Sequence, residues 1–227
     1  MLVELTGGRN ERGKRMSLEI VTFVGGPLET NAYLVADSVT GDALVIDAPQ
    51  DTASQIVEEA ARRSWAIGQI IITHTHWDHV LDAKALKEST GVPLLAHPLA
   101  QEPLANPASS FGEPPMEIPS VETSGTLDDG DTVTLGGHTF TVMHVPGHDP
   151  AHIALVDESQ RYFLGGDVLF PGGHGTTEVP GADQAAMNAT MRRLVAELPE
   201  TTIVLPGHGV STTIGAEAPW IKLLREV

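Results

Sequence analysis

Three histidines and one aspartate lie in the short segment from Thr73 to His79. The segment follows the apolar run Ile70–Ile72, so a strand that ends there would present several side chains from one loop. Imidazoles and carboxylates are good ligands for zinc and other first-row metals. With ten histidines in 227 residues, a solvated loop would rarely gather three of them by chance, so the segment predicts a metal site. Its candidate ligands are His74, His76, Asp78 and His79.

The same arrangement recurs further along the chain, where a histidine or an aspartate follows an apolar stretch beside glycine or proline. It occurs at His148, Asp167 and His208 and, less clearly, at His97. Glycine lets the backbone turn sharply, and strand ends on a rigid scaffold hold functional side chains in place. These positions therefore extend the set of candidate ligands.

The candidate ligands are too many for one tetrahedral ion. They are His74, His76, Asp78, His79, His148, Asp167 and His208. Two ions that share one carboxylate would use all of them. Paired ions lie roughly 3.5–4 Å apart and can hold a bridging hydroxide as a nucleophile at neutral pH. The residues thus predict a catalytic site with two metals and open positions for substrate.

The composition limits the functional classes. Hydrophobic residues make up 41% of the chain and charged residues 19%, so a folded domain with a buried core is expected. The absence of cysteine excludes disulfides, thiolate zinc sites and a cysteine nucleophile. A net charge of −17 argues against nucleic acid and anionic membranes as partners, and no apolar run is long enough for a membrane span. We expect a small-molecule substrate, no nucleic acid and no membrane; nothing in the sequence sets the oligomeric state.

Local patterns predict strands bounded by turn residues and helices with one apolar face. The strands are expected at 18–24, 32–36, 43–47, 68–72, 92–96, 132–135, 138–145, 152–156, 161–166 and 201–205. The helices are expected at 52–63, capped by Asp51 or Thr52, and at 80–89, 184–198 and 216–225. Residues 103–124 hold five prolines and predict a long irregular loop, either a lid or a surface insertion. Two sheets packed face to face with helices outside would satisfy this order.

The motifs, taken in order, resemble those of the metallo-β-lactamase-fold hydrolases over residues 18–212. They are His74-x-His76-x-Asp78-His79, Pro146-Gly147-His148, Gly166-Asp167 and Pro206-Gly207-His208-Gly209. The resemblance implies an α/β protein with a four-layer αββα sandwich, in a single domain at 16–227, with the metals at one edge of the sheets. Residues 1–15, which show no secretory signal, would be a flexible extension of a cytoplasmic protein.

The resemblance also implies a division of the ligands between two metals. His74, His76 and His148 would bind the first metal. Asp78, His79 and His208 would bind the second, and Asp167 would bridge them. Zinc is the expected metal, and iron or manganese would suit the same ligands.

Within that superfamily the sequence is most similar to glyoxalase II, the hydroxyacylglutathione hydrolases, and to their short bacterial relatives. The similar segments are Thr73–His79, Gly166–Phe170 and Pro180–Asp183. This similarity implies hydrolysis of a small thioester or ester, in which a hydroxide bridging two metal ions attacks the carbonyl and Asp78 orients that nucleophile.

The sequence departs from glyoxalase II in three places. Few residues follow His208, so we expect the C-terminal helical extension that helps to bind glutathione to be absent. Gly175-Thr176-Thr177-Glu178 stands where Gly-Arg-Thr-Asp is common, and Gly147-His148-Asp149-Pro150-Ala151 replaces Gly-His-Thr-Pro-Gly. No metal ligand is lost through these changes. They bear instead on whether glutathione is the thiol.

Other activities of the same fold stay open. A lactonase for acyl homoserine lactones would use a very similar ligand set. A persulfide dioxygenase would hold one iron with His74, His148 and Asp167, although the complete second set favours two metals. A β-lactamase is disfavoured because one zinc subclass needs a cysteine ligand and the histidine-rich subclass lacks a bridging aspartate. A processing ribonuclease is disfavoured by the acidic composition, and a metal-binding module without turnover is the alternative outside the enzymes.

Four further residues are candidates for contact with the substrate or with the ligands. His144 and His152 flank His148, and either one could hold a ligand imidazole or be a buried structural histidine. His174 lies in a glycine-rich loop after the proposed bridging aspartate. Asp47 ends a strand, where it could orient a ligand histidine or cap a turn.

Overall fold

The computed structural model describes residues 4–5, 18–107 and 116–224 and contains two large β-sheets. In spatial order, the seven-stranded first sheet contains β1 (Glu4–Leu5), β2 (Leu18–Gly25), β3 (Thr30–Asp37), β4 (Asp42–Ile46), β5 (Ala66–Ile71), β6 (Leu94–Ala96) and β7 (Gly125–Thr126). The six-stranded second sheet contains β15 (Thr212–Thr213), β14 (Ile203–Pro206), β11 (Tyr162–Gly166), β10 (Ile153–Asp157), β9 (His138–His144) and β8 (Thr132–Leu135). A separate hairpin joins β12 (Leu169–Phe170) to β13 (Gly173–His174).

The α-helices lie outside the two sheets. Within the described residues they are Ala53–Arg63, Trp77–Val80, Ala83–Thr90, Gln101–Ala105, Gln184–Glu197 and Ile214–Ile221, with a 3-10 turn at Pro98–Ala100. No helix in the described part of the chain is both long and apolar enough to span a bilayer.

Three apolar layers hold the sandwich together. Leu44, Phe140 and Leu155 belong to the layer between the two sheets. The layer outside the first sheet includes Ile56, and the layer outside the second includes Met187. Helix, sheet, sheet and helix therefore alternate, and the predicted four-layer αββα sandwich is confirmed.

Strand β3 is buried at every position because both of its faces are covered. Leu34 packs into the helical layer, whereas its neighbour Val35 packs between the sheets. A strand covered on both faces has apolar residues in succession, whereas a strand covered on one face alternates apolar with polar residues. The sequence pattern of these strands thus follows from their position in the middle of four layers.

The strands that carry the candidate ligands end at one edge of the sandwich. β4 and β5 are parallel neighbours in the first sheet, and β11 and β14 are parallel neighbours in the second. The carboxyl ends of parallel strands lie at the same edge. At that edge the two sheets are joined by a bridge between Thr30 and His208 and by a hydrogen bond from Asn31 N to Gly207 O at 2.7 Å.

Two local predictions hold only in part: Thr52 is the N-cap residue of the first helix but does not cap it with its side chain, and the helix at 80–89 is shorter than predicted. Neither Asp51 nor Thr52 caps the first helix through its side chain; Asp82 Oδ2 accepts hydrogen bonds from Thr52 N and Ala53 N instead, each at 2.9 Å. The predicted helix at 80–89 is divided into Trp77–Val80 and Ala83–Thr90, with Asp82 at the break. A helix cap provided by a residue 30 positions further along the chain cannot be inferred from local spacing.

Two predicted irregular segments contain more order than expected. Residues 172–175, predicted to be a loop, include one strand of the β12–β13 hairpin, which Glu217 Oε2 anchors by accepting from Gly172 N at 2.8 Å. In the predicted loop at 103–124, Val121 is buried and donates its N–H to Leu104 O at 2.9 Å. Residues 108–115 of that loop lie outside the described residues, as do residues 1–15 apart from Glu4–Leu5.

Candidate metal centre

The loop that follows β5 is fixed by Asp47, the residue that follows β4. Asp47 has a positive φ of 60°, which turns its carboxylate toward the neighbouring strand end. Its Oδ1 accepts from Thr73 N at 2.7 Å, and its Oδ2 accepts from Thr73 Oγ1 at 2.8 Å. The same Oδ2 lies 2.8 Å from His79 Nδ1. One buried carboxylate therefore holds both ends of the histidine-rich loop.

The structure brings all seven predicted ligands together. In each of three groups, one nitrogen or oxygen atom per residue lies within 4.8 Å of the others. The groups are His74, His76 and His148; His74, His79 and Asp167; and Asp78, His79 and His208. The first and last match the two sets that the family resemblance implied.

Asp167 lies between the two sets. Its Oδ1 is 3.3 Å from His79 Nε2, and its Oδ2 is 3.5 Å from His148 Nε2 and 3.3 Å from His208 Nε2. A carboxylate in this position can reach a cation on either side. The tight turn at Gly166, whose φ is 50°, carries it there from the end of β11.

Several imidazoles present Nε2 to the centre because Nδ1 is already bonded to an oxygen. The Nδ1 partners are Thr73 Oγ1 for His74 (3.0 Å), Asp47 Oδ2 for His79 (2.8 Å), Thr176 O for His148 (2.7 Å) and Leu28 O for His208 (2.9 Å). Carboxylate and carbonyl oxygens only accept, so in a neutral ring the proton lies on Nδ1 and the lone pair on Nε2. Such outer contacts are typical of histidines that bind metals.

The centre contains buried polar atoms without hydrogen-bond partners. They include His74 Nε2, His79 Nε2, His148 Nε2 and Asp167 Oδ1; the 3.3 Å contact between His79 Nε2 and Asp167 Oδ1 is an ion pair without hydrogen-bond geometry. Buried polar atoms are nearly always satisfied, because leaving them bare costs free energy. A divalent cation would satisfy all four, so the residues present fit the metals that the family resemblance implies.

Side chains of the first and second ligand sets differ in the direction in which their pKa values are shifted. Burial and the neighbouring His148 lower the pKa of His76 to about 4, so this imidazole is neutral at pH 7, the form in which histidine binds a metal. Burial opposes ionisation of Asp78, yet hydrogen bonds from His208 and Thr30 lower its pKa to about 2. Burial also opposes charge on His208, but the carboxylates of Asp167 and Asp78 raise its pKa to about 9. The carboxylates of the second set thus favour the protonated form of His208.

Two glycines allow the close packing around Asp167. A Cβ on Gly207 would overlap Asp167 Oδ1, and a Cβ on Gly175 would overlap Asp167 O and press on the ring of His148. A larger residue at either position would push against Asp167, so both positions require glycine.

Sequence reasoning missed two residues that position the ligands. Thr30 Oγ1 donates to Asp78 Oδ2 at 2.7 Å, a contact across 48 residues that no motif indicates. Asp149 Oδ2 accepts from Thr75 N at 3.0 Å and from Thr75 Oγ1, and its Oδ1 accepts from Ala151 N at 2.6 Å. Asp149 thus fixes the residue between two candidate ligands. Its departure from the family's usual threonine was the available signal.

The remaining candidate histidines differ in how close they lie to the predicted metal ligands. His152 is fully buried, stacks on His74 at 4.6 Å and accepts from Asp167 N through Nε2 at 3.0 Å. His144 lies apart from the ligands, stacked on His97 at 4.2 Å with its Nε2 2.9 Å from Pro150 O. His174 follows the hairpin turn, and its Nδ1 is 2.7 Å from Gly175 O.

Comparison with known proteins agrees with this geometry. The Metallo-beta-lactamase superfamily model matches residues 25–208. The chain is 30% identical over 206 residues to the hydroxyacylglutathione hydrolase GloC of Haemophilus influenzae, covering 89% of this chain and 95% of the relative. The B3 metallo-beta-lactamase BLEG-1 has a TM-score of 0.78 at 29% identity, covering 88% of this chain and 96% of that one.

A second solved structure is also similar to this chain. The di-iron-bound form of TTHA1623 has a TM-score of 0.73 at 33% identity, covering 87% of this chain and 96% of that one. The match of the family model and the identity to these relatives extend over nearly the whole described chain. The chain therefore belongs to the metallo-beta-lactamase superfamily.

Proposed function

We propose that this protein is a metal-dependent hydrolase that cleaves a small thioester or ester with two divalent metal ions. The observation that carries the proposal is the pair of ligand sets, His74, His76 and His148 on one side and Asp78, His79 and His208 on the other, with Asp167 between them. A structural ion would need only one closed set of four ligands. Two adjoining sets with a shared carboxylate favour catalysis.

Bound there, two divalent ions would supply a hydroxide at neutral pH and polarise the substrate carbonyl. Asp78 is placed to orient the attacking water. Its Oδ2 is held by Thr30 at 2.7 Å and lies 3.2 Å from His208 Nε2, so the carboxylate faces the centre. The hydroxide oxygen would bond to the carbonyl carbon and the bond to the leaving sulfur or oxygen would break. Asp78 is placed to carry the proton released when the water ionised to that leaving group, so that the products are a carboxylate and a thiol or alcohol.

The choice of a thioester rests on similarity. The Haemophilus influenzae relative is named as a hydroxyacylglutathione hydrolase, and the segments Thr73–His79 and Gly166–Phe170 resemble that group. Zinc is the metal we propose, with iron or manganese as alternatives, since the relative TTHA1623 holds two irons.

Elemental analysis combined with a substrate panel tests the proposal. The panel contains thioesters, esters, an acyl homoserine lactone, a β-lactam and glutathione persulfide. We expect about two zinc, iron or manganese ions per chain and turnover of thioesters or esters. One iron per chain with oxygen consumption on the persulfide would assign a dioxygenase instead. Turnover of the lactone alone would assign a lactonase. Bound metal without turnover of any compound in the panel would contradict the proposal that the protein is an enzyme.

Two substitutions test the division of the ligands. Asp167→Ala should lower occupancy of both metals, because the carboxylate reaches both sets. His208→Ala should mainly empty the second set. Circular dichroism shows whether each variant is folded, and Asp167→Asn provides a variant of the same size. Two metals at full occupancy in every variant would show that the ligand assignment is wrong.

A further inference from the structure

Carboxylates dominate the charge of the candidate metal centre. Asp47, Asp78, Asp149 and Asp167 are all buried there, with exposed fractions between 1% and 7%. Their four negative charges balance two divalent cations before any hydroxide is added. The loaded centre would therefore have no excess positive charge with which to attract an anionic substrate over a distance.

The loops around the centre contain no lysine or arginine. These loops are residues 24–31, 73–82, 144–152, 167–183 and 206–213. They carry the exposed acidic residues Glu29 and Glu178 instead. Thr176, whose backbone oxygen is bonded to His148, is an exposed uncharged residue in one of these loops.

Cations in the described part of the chain lie on the outer helices or beside the opposite strand ends. They are Arg62, Arg63, Lys84, Lys87, Arg161, Arg192, Arg193 and Lys222. Several are committed to acids: Arg63 pairs with Glu59 and Arg193 with Asp129, at 2.5 Å and 2.9 Å. Neither pair belongs to the loops around the centre, although Arg193 Nη1 also donates to the backbone oxygen of His144 at the start of one of them, at 3.1 Å.

Three apolar residues lie beside His208 of the second ligand set, by contact or by sequence. Leu28 is 52% exposed, and its carbonyl oxygen accepts from His208 Nδ1. Val210, two residues after His208, is 73% exposed. The ring of Phe170 lies 6.2 Å from the ring of His208. We call Leu28, Phe170 and Val210 the apolar rim; exposed apolar surface beside a polar centre is typical of a substrate-binding wall.

We infer that the substrate's leaving group is an uncharged, apolar thiol or alcohol, held against the apolar rim, and that anionic thiols such as glutathione and coenzyme A are disfavoured. This inference rests on the proposed hydrolase function and specifies its substrate class. The acidic loops would repel an anion, and the rim would gain from burying apolar surface.

Thioesters that share one acyl group test the charge of the leaving thiol. N-acetylcysteamine provides the uncharged thiol, and glutathione and coenzyme A provide anionic ones. We expect kcat/KM to be at least about tenfold higher for the uncharged thioester and to rise with salt for the anionic ones, because salt screens repulsion. If kcat/KM for the glutathione thioester were equal or higher and fell with salt, the inference would be overturned. The proposed hydrolase function would still be supported.

Binding of unreactive thioethers gives a readout that needs no turnover. Calorimetry compares S-propyl-N-acetylcysteamine with S-propylglutathione on the metal-loaded protein. Tighter binding of the uncharged thioether supports the inference even if no thioester is hydrolysed, in which case only the proposed function fails. Tighter binding of the glutathione thioether overturns the inference.

A pair of valine substitutions tests the rim itself. Val210→Lys adds a cation beside His208, and Val39→Lys adds one at an equally exposed valine, 74% exposed, in the turn between β3 and β4 at the opposite edge. Val210→Lys should raise the ratio of kcat/KM for glutathione to kcat/KM for N-acetylcysteamine by roughly threefold or more, a change expected of a unit charge a few ångströms from the substrate. Val39→Lys should leave the ratio unchanged. The same ratio in both variants would contradict charge selection at the rim.

Discussion

Asp47 Oδ2 lies 2.8 Å from His79 Nδ1, and both side chains are almost completely buried. Because the carboxylate accepts the Nδ1 proton, His79 turns Nε2 toward Asp167 and Asp78, at 3.3 Å and 3.5 Å. Neither residue could take this role alone. Asp47, just after β4, thus sets which nitrogen His79 of the neighbouring loop presents to the centre.

Replacing Asp47 with asparagine should weaken metal binding without removing any candidate ligand. The amide cannot accept from His79 and Thr73 as a charged carboxylate does, so His79 loses its fixed orientation. We expect metal affinity to fall about 10- to 100-fold, mainly in the second set. Competition with a chromogenic chelator measures the affinity.

Asp157→Asn is the matched control, since Asp157 is a buried carboxylate that accepts from Ser159 N near the start of β11. It should lower thermal stability and leave metal affinity unchanged. Equal affinities in the Asp47 and Asp157 variants would refute the orienting role of Asp47.

Asp149→Ala should weaken the first ligand set. Without Asp149, the Thr75 N–H and hydroxyl lose their shared acceptor, and the backbone between His74 and His76 is free to move. We expect lower affinity for one of the two metals, by roughly tenfold or more. A zinc titration against a chelator gives the two affinities.

Asp183→Ala is the control for Asp149, because Asp183 is an aspartate that caps the helix Gln184–Glu197 by accepting from Ala186 N at 2.8 Å. Its loss should cost about 1 kcal/mol of stability and no metal affinity. Two unchanged zinc affinities in Asp149→Ala would leave Asp149 as a structural residue only.

Gly207→Ala should impair metal binding although glycine offers no ligand atom. The added Cβ would overlap Asp167 Oδ1 and approach the ring of His79, so Asp167 must move from between the two sets. We expect occupancy of both metals to fall, as measured by elemental analysis.

Gly173→Ala provides the comparison, because no atom lies within 4 Å of the Cβ that would be added there. This variant should bind metal normally. If Gly207→Ala also retained two metals, Asp167 would not be confined as the structure indicates.

The metal-free protein should lose stability as the pH rises from about 6.5 to 9. Burial opposes charge on His208, but Asp167 and Asp78 raise its pKa from 6.5 to about 9. Because the folded pKa exceeds the unfolded one, protonated His208 contributes its full stabilisation below pH 6.5 and none above pH 9. Thermal unfolding with a chelator present should therefore show a falling Tm.

Metal should reverse this dependence, because binding displaces the proton from His208. The Tm of the loaded protein should not fall over the same range, and affinity should increase with pH. His208→Gln removes the titrating group and should flatten the metal-free profile. A metal-free Tm that rises between pH 7 and 9 would contradict the assigned charge of His208.

The sequence by itself indicated the seven residues of the centre because each lies where a local pattern ends. His74 comes two residues after the apolar run Ile70–Ile72, and His79 ends the same short segment; Asp167 and His208 each follow a glycine at or just after a strand end. Local residue patterns predict where strands end. The order of the motifs at those ends is then the order found in one family. The layered fold followed from the same alternation of strands and helices.

Only the tertiary structure separated His144 from His152, which lie equally far from His148 along the chain. His144 is paired opposite Ile153 in the register of β9 and β10, and its ring stacks on His97. His152 precedes that pair and points toward Asp167 instead. The same holds for Asp82, which caps a distant helix, and for Thr30, which holds Asp78. These contacts join segments that are far apart in sequence, so they exist only once the sheets have packed against each other and their register is set.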